Sequence, residues 1–264
     1  GTLMLLTVLY LRDGIFGIKP QFRAWRDKKK SERRSSRAEK GGEILPEEAT
    51  EVMNKDEVYF RRFDKPFFNV CVRLDVARLK AALAAWPGAG LSVACYFLTL
   101  RLANRHQAFR LRLEGERVRV HDEVHGSTTV LRDDGESFFF ADLSHTADFA
   151  AFVARTNAAI DVARTRHAAF EPKPDETACV YFTSLPWLHF SSFSHARQWA
   201  REGRRDDSIP RFAFGRAEAD GARLWLPMSV EVHHALMDGV HVGRFVQDFE
   251  AMLSEPATWL GVRI

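Results

Sequence analysis

RLWLPMSVEVHHALMDGVHVGRFVQDFEAML, residues 223–253, decides the fold, because two hydrophobic periods meet inside it. Leu224, Leu226, Met228, Val230 and Val232 fall on every second position and share one side with His234. Trp225, Ser229, Glu231 and His233 share the other. A period of two belongs to a strand. After Asp238-Gly239 the spacing lengthens, and Val242, Phe245, Val246, Phe249, Met252 and Leu253 form one apolar stripe. That period belongs to a helix. Two adjacent histidines, an Asp four residues after the second and a bend-permitting Gly therefore sit at the joint between two rigid elements.

Working outward, Arg211 to Arg216 reads as a strand facing 223–234 across Asp220-Gly221, a dipeptide that favours a tight hairpin. Cys179 to Thr183 is a short buried strand, and Asp148 to Ile160 carries Phe149, Phe152, Val153 and Ile160 on one helical face. Thr128–Val130 and Ser137–Phe140 flank the Asp133-Asp134-Gly135 turn. Phe109, Leu111 and Leu113 alternate with Arg110, Arg112 and Glu114. After Gly115, Val118, Val120 and Val124 continue on a partner strand. Leu91 to Gln107 reads as a well-buried helix. Ala77 to Trp86 is a helix stopped by Pro87-Gly88, and 68–76 is a strand. There is no internal repeat. The reading is α+β, a mixed sheet backed by helices.

Composition bounds the function classes. The chain has 264 residues, 46% of them apolar, with 21 Phe and 6 Trp, enough to bury a full core. Cys71, Cys95 and Cys179 are odd in number, widely spread and without a CxxC pair. They predict reduced thiols in a cytoplasmic protein, neither a disulfide scaffold nor a zinc site. The longest apolar run, 3–11, is too short for a membrane span. Residues 1–52 hold 11 Lys and Arg against 8 Asp and Glu, and the remainder is balanced at 27 of each. Residues 1–52 are expected to be a basic, poorly ordered extension, with no nucleic-acid partner, and 53–264 the functional domain.

The chemistry-bearing segment is His233 to Gly239. His234 is in phase with the apolar side of its strand, so its imidazole is drawn partly out of water, which favours the neutral form that a general base requires. Asp238, where the chain turns back, orients the site by hydrogen bonding or ion pairing. A metal site from His233, His234, His241 and Glu231 is disfavoured, since neighbours on a strand face opposite ways.

The run 233–245, HHALMDGVHVGRF, closely resembles the signature of chloramphenicol acetyltransferases. His106 to Arg110, Asp122 to His125, Leu185-Pro186-Trp187 with Ser192-Phe193, and Leu226 to Val230 resemble that family in its order, so the resemblance covers roughly 60–255. It implies a two-layer sandwich of mixed sheet and helices. It also implies a homotrimer with active sites at the subunit interfaces, and acetyl-CoA as co-substrate with no permanently bound cofactor. The acceptor would be a small hydroxylated compound such as chloramphenicol. His234 matches the general base, Asp238 the structural Asp, and Thr183 the oxyanion-stabilising Ser, with Ser184 as its substitute. Trp187 and Arg216 match coenzyme-facing residues, and Tyr59 and Phe60 the aromatic acceptor pocket.

The chain also departs from the family. Glu51 and Met53 stand where the family carries a Trp and an Arg that pairs with the structural Asp, with Arg61 and Arg62 nearby. Ala213 replaces a Thr near the coenzyme. Two alternatives therefore stay open: an acyltransferase with another acceptor, and a catalytically weak CoA-binding or assembly protein of the same fold.

Overall fold

The computed structural model describes residue 60 and residues 63–114, 117–166, 177–197 and 207–261. The basic extension, Glu51, Met53, Tyr59, Arg61 and Arg62 lie outside them. The elements, in chain order, are β1 (Phe67–Asp75), α1 (Ala77–Ala82), α2 (Leu91–Arg105), β2 (Leu111–Glu114), β3 (Arg117–Val120), β4 (His125–Leu131), β5 (Phe138–Leu143) and α3 (Phe149–Thr165). They continue with β6 (Cys179–Ser184), β7 (Arg211–Phe214), β8 (Glu218–Asp220), β9 (Arg223–His233), α4 (Gly239–Ser254) and α5 (Pro256–Leu260).

Among the described residues the main sheet has seven strands in the order β1-β9-β7-β6-β4-β5, with β8 also on β9. β4, β6 and β7 run parallel to one another, and the other pairings are antiparallel. The parallel step from β4 to β6 needs a crossover, which α3 supplies. Asp148 starts that helix, its Oδ1 accepting from the Ala151 N–H at 3.0 Å. Gly221, at a φ of +59°, makes the turn between β8 and β9. The expected hairpin thus forms between β8 and β9, and β7 pairs further along the same strand.

The core lies between the sheet and the helices. Leu226, Met228, Val230 and Val232 of β9 join Phe182, Phe212, Phe245 and Phe249 in one buried cluster. Phe109 meets Phe245 at 4.4 Å and Phe212 meets Phe245 at 5.4 Å between centroids, which ties α4 to the sheet. In α2 every residue from Val93 to Leu100 is buried, as expected for a helix that is apolar all round.

Two burials go beyond what alternation shows. Arg112, which alternates with Leu111 and Leu113, is fully buried. It donates to the carbonyls of Thr177, Phe109, Leu111 and Cys179, pinning the β2–β3 hairpin to the start of β6. Burial lowers its pKa to about 10. The second side of β9 is also buried, Ser229, Glu231 and His233 included. It is crossed by the chain at 188–197. Asn69 Nδ2 and Ser229 Oγ both donate to the Phe193 carbonyl, at 2.8 and 3.1 Å. Where the crossing is tightest the chain carries Gly215. A Cβ there would lie 2.6 Å from both the Leu188 carbonyl oxygen and Pro227 Cγ.

Candidate active site

His234 follows the last residue of β9, and its backbone N–H donates to the Pro66 carbonyl at 2.7 Å. The imidazole lies between two aromatic rings. Phe60 is stacked on it, 3.7 Å away and tilted by 10°, and Phe68 sits 4.7 Å away at 55°. Nδ1 is buried and 3.2 Å from Asp238 Oδ1, a close electrostatic contact without the alignment of a hydrogen bond. The side chain as a whole is 31% exposed, which leaves Nε2 as the accessible nitrogen.

Asp238 is the N-cap of α4. Its backbone N–H donates to Nδ1 of His241, one turn into the helix, at 2.9 Å. Among the described residues the one basic side chain within ion-pairing distance of its carboxylate is His234. The joint is thus braced from the helix side by His241, a residue that the sequence pattern marks only as an unlikely metal ligand. The neighbouring His233 points the other way. It is buried, edge-on to Phe67, and accepts from the Ala235 N–H through Nδ1. Leu236, within the bend, packs against Leu111 and Leu113 of the β2–β3 hairpin. Among the described residues no three His, Cys, Asp or Glu side chains converge as a metal site would require.

The other candidate residues lie elsewhere. Thr183 pairs with Ala213, and Ala213 with Ser229, so the three share one side of the sheet. His234 belongs to the opposite side, five residues beyond Ser229 and two strands across. At about 3.3 Å per residue and about 4.8 Å per strand, it is roughly 19 Å from Thr183. The chain does not bring the two together.

Ser184 faces the helix side, its Oγ 3.1 Å from Ser92 Oγ at the start of α2. A groove here is lined by Leu91, Ser92, Pro186, Gly215 and Arg216. Trp187 is 55% exposed, and its carbonyl accepts from Arg216 Nη1 at 3.4 Å. Arg216 also donates to Glu218 at 2.6 Å and holds that carboxyl below its usual range. The pair is exposed and open to exchange with a competing anion. Arg216 therefore lines the groove, and Ser184 and Trp187 each contact one of its lining residues, Ser92 and Arg216. Another depression, lined by Phe139, Phe140, Val162 and Arg166, lies toward the far edge of the sheet.

The side of the sheet that carries Thr183 also holds a charged cluster. The Glu231 and Arg197 side chains, each 4% exposed, meet at 2.6 Å through Oε1 and Nε. Arg197 also donates to the carbonyls of Ile209 and Glu231, and lies 3.3 Å from Asp207. Burial alone would raise the pKa of Glu231, but hydrogen bonds from His195 and Arg197 override it and bring the carboxyl down to about 2. His195 donates its backbone N–H to Glu231 Oε2 at 2.9 Å, and its Nε2 lies 3.2 Å from Thr183 Oγ1. His195 and Arg197 lie in an irregular segment with no periodicity, so no local signal singles them out.

The family profile described as chloramphenicol acetyltransferase matches residues 53–250. The chloramphenicol acetyltransferase of Streptomyces acrimycini is 30% identical over 204 residues, covering 76% of this chain and 90% of that protein. That of Campylobacter coli is 29% identical over 190 residues, covering 71% and 87%. A solved chloramphenicol acetyltransferase superposes with a TM-score of 0.62 at 22% identity, over 76% of this chain and 94% of the other. The dihydrolipoamide acetyltransferase of Azotobacter vinelandii shares the fold, with a TM-score of 0.59 at 15% identity, over 84% and 95%. With the profile spanning most of its length, and a relative 30% identical over most of both chains, the chain belongs to the chloramphenicol acetyltransferase family of acyltransferases.

Proposed function

We propose that this protein transfers the acetyl group of acetyl-CoA to a hydroxyl of chloramphenicol or a similar small hydroxylated acceptor, with His234 as general base. The observation that carries this reading is the setting of His234. One ring face lies against Phe60, Nδ1 faces Asp238, and Nε2 is accessible. Nε2 takes the acceptor's hydroxyl proton as its oxygen attacks the thioester carbonyl. The tetrahedral oxyanion takes a hydrogen bond, for which the Thr183 hydroxyl is the candidate donor. Collapse breaks the C–S bond, and the departing thiolate recovers the proton from the imidazolium. Acetyl-CoA and an alcohol become an acetyl ester and free CoA.

Because Thr183 and His234 lie roughly 19 Å apart on opposite sides of one sheet, both can serve one substrate only if a second copy supplies one of them. That requirement supports a homo-oligomer with its active sites between subunits, and the family resemblance implies that it is a trimer. The groove lined by Arg216, with Trp187 beside it in contact with Arg216, is the candidate coenzyme path, the guanidinium lying near the phosphates. Phe60 belongs to the acceptor pocket, and Tyr59 is assigned to it with no structural account. The three cysteines are free thiols, in keeping with a reducing cytoplasm. Among the described residues no helix is long and apolar enough to cross a membrane.

The test is thiol release from acetyl-CoA with and without chloramphenicol, for the wild type and His234→Ala. Release that depends on the acceptor and falls by a hundredfold or more in the variant is the expected result, at the usual magnitude of about 10² to 10⁴ for general base catalysis. Release that survives the substitution overturns the mechanism. Coenzyme binding without turnover by any of a panel of alcohols overturns the enzyme reading.

A further inference from the structure

We infer that His195 is a positioning residue that aims the hydroxyl hydrogen of Thr183, an assignment that rests on the oxyanion role proposed for Thr183. A threonine hydroxyl rotates freely and can point its one hydrogen at any acceptor nearby. It stabilises an oxyanion only if that hydrogen is kept for it. Thr183 Oγ1 lies 3.2 Å from His195 Nε2, and this contact decides where the hydrogen goes. If Nε2 carries a hydrogen, the ring donates to Oγ1 and the hydroxyl hydrogen stays available. If Nε2 is bare, the hydroxyl donates to the ring and is lost to the reaction.

The surroundings of the ring favour the first state. Nδ1 is buried and has no aligned hydrogen-bond partner. Glu231 Oε2, at 3.7 Å, is beyond hydrogen-bond reach and is itself engaged by the His195 backbone N–H at 2.9 Å. An N–H buried without an acceptor is the costlier defect, so the ring hydrogen belongs on Nε2, where Thr183 accepts it. The Glu231 charge that would pull the hydrogen to Nδ1 is shared with Arg197, 2.6 Å away. The ring is also held in place. Phe193 meets it edge-on at 4.8 Å and 89°, and its backbone is tied to Glu231. Ala213, the residue paired with Thr183 on β7, offers no competing polar side chain.

The experiment is acceptor turnover by the full chain in five forms: wild type, His195→Leu, His195→Gln, Thr183→Ala, and the Thr183→Ala/His195→Leu double variant. Gln places an amide N–H near the position of Nε2, whereas Leu places none. His195→Leu is expected to lower kcat about tenfold, a fraction of what a whole oxyanion donor supplies. KM for acetyl-CoA should stay within about twofold of wild type. His195→Gln should recover most of the loss, and His195→Leu should have no further effect once Thr183 is Ala. An equal loss on both backgrounds, or no rescue by Gln, overturns the inference and leaves the role of Thr183 standing. A Thr183→Ala variant as active as wild type overturns that role itself. Nitrogen-15 shifts of the His195 ring in the unaltered protein read the same point without any substitution. A hydrogen on Nε2 is expected, and a neutral ring protonated on Nδ1 refutes the assignment.

Discussion

Replacing Glu231 by Gln removes one buried charge and leaves its partner in place. The Arg197 side chain is 4% exposed and cannot recover water, so among the described residues its guanidinium keeps Asp207, at 3.3 Å, two carbonyls and the Phe67 ring, 4.6 Å away. The magnitude follows from the carboxyl itself, which is lowered from an ordinary 4.5 to about 2. At about 1.4 kcal/mol per pH unit, that lowering, to which His195 contributes alongside Arg197, corresponds to at most about 3–4 kcal/mol of folding stability. Loss of one member of a buried ion pair typically costs about 3–5 kcal/mol, and the remaining Asp207 argues for the low end. In a domain of this size, about 3 kcal/mol lowers Tm by about 6–12 °C.

The pH dependence has a definite sign. A depressed carboxyl contributes stability that is complete above its unfolded value and is lost as pH falls through its folded value. The gap between wild type and Glu231→Gln should therefore be widest near neutrality and close between 4.5 and about 2. Urea denaturation of both proteins across that range measures it. A gap below about 1 kcal/mol near neutrality, or one that stays constant into acid, refutes the claim that this pair is a buried charge interaction.

Three further outcomes are expected. Phe60→Leu keeps an apolar contact but removes the ring stacked 3.7 Å from His234, so kcat should fall several-fold with KM for acetyl-CoA unchanged; a changed coenzyme KM alone would separate Phe60 from the acceptor side. Gly215→Ala drives a Cβ to 2.6 Å from the Leu188 carbonyl oxygen and should cost about 2–3 kcal/mol, read as a fall in Tm; an unchanged Tm would mean that the crossing is looser than its geometry. Arg112→Leu removes the donor to four carbonyls and should destabilise by about 3 kcal/mol or more; an unaltered denaturation midpoint would mean that the Arg112 hydrogen bonds contribute nothing net.

The residues at the bend are legible in the sequence because local chemistry places them. The period change across Asp238-Gly239 puts His234 at a strand end and Asp238 at a helix cap, and α4 begins there. The apolar side of β9, the buried α2 and the α3 cap at Asp148 follow from spacing and capping in the same way. The burial of Arg112 is not legible there, because alternation says which side of a strand a residue occupies and nothing about what covers that side.

The same limit explains the rest of the site. That Ser229 and Glu231 lie under the 188–197 segment, and that His195 reaches Thr183, depends on contacts between residues far apart in the chain. The resemblance places Thr183 and His234 in one reaction, and the alternation puts each on a side of its own strand. Only the pairing of β6 to β7 to β9 sets those strands in register and separates the two residues across one sheet. The sequence by itself determined the histidine, its bend and the family. The tertiary structure decided which residues could meet, because strand register and a crossing segment are properties of distant chain brought together and have no local period to betray them.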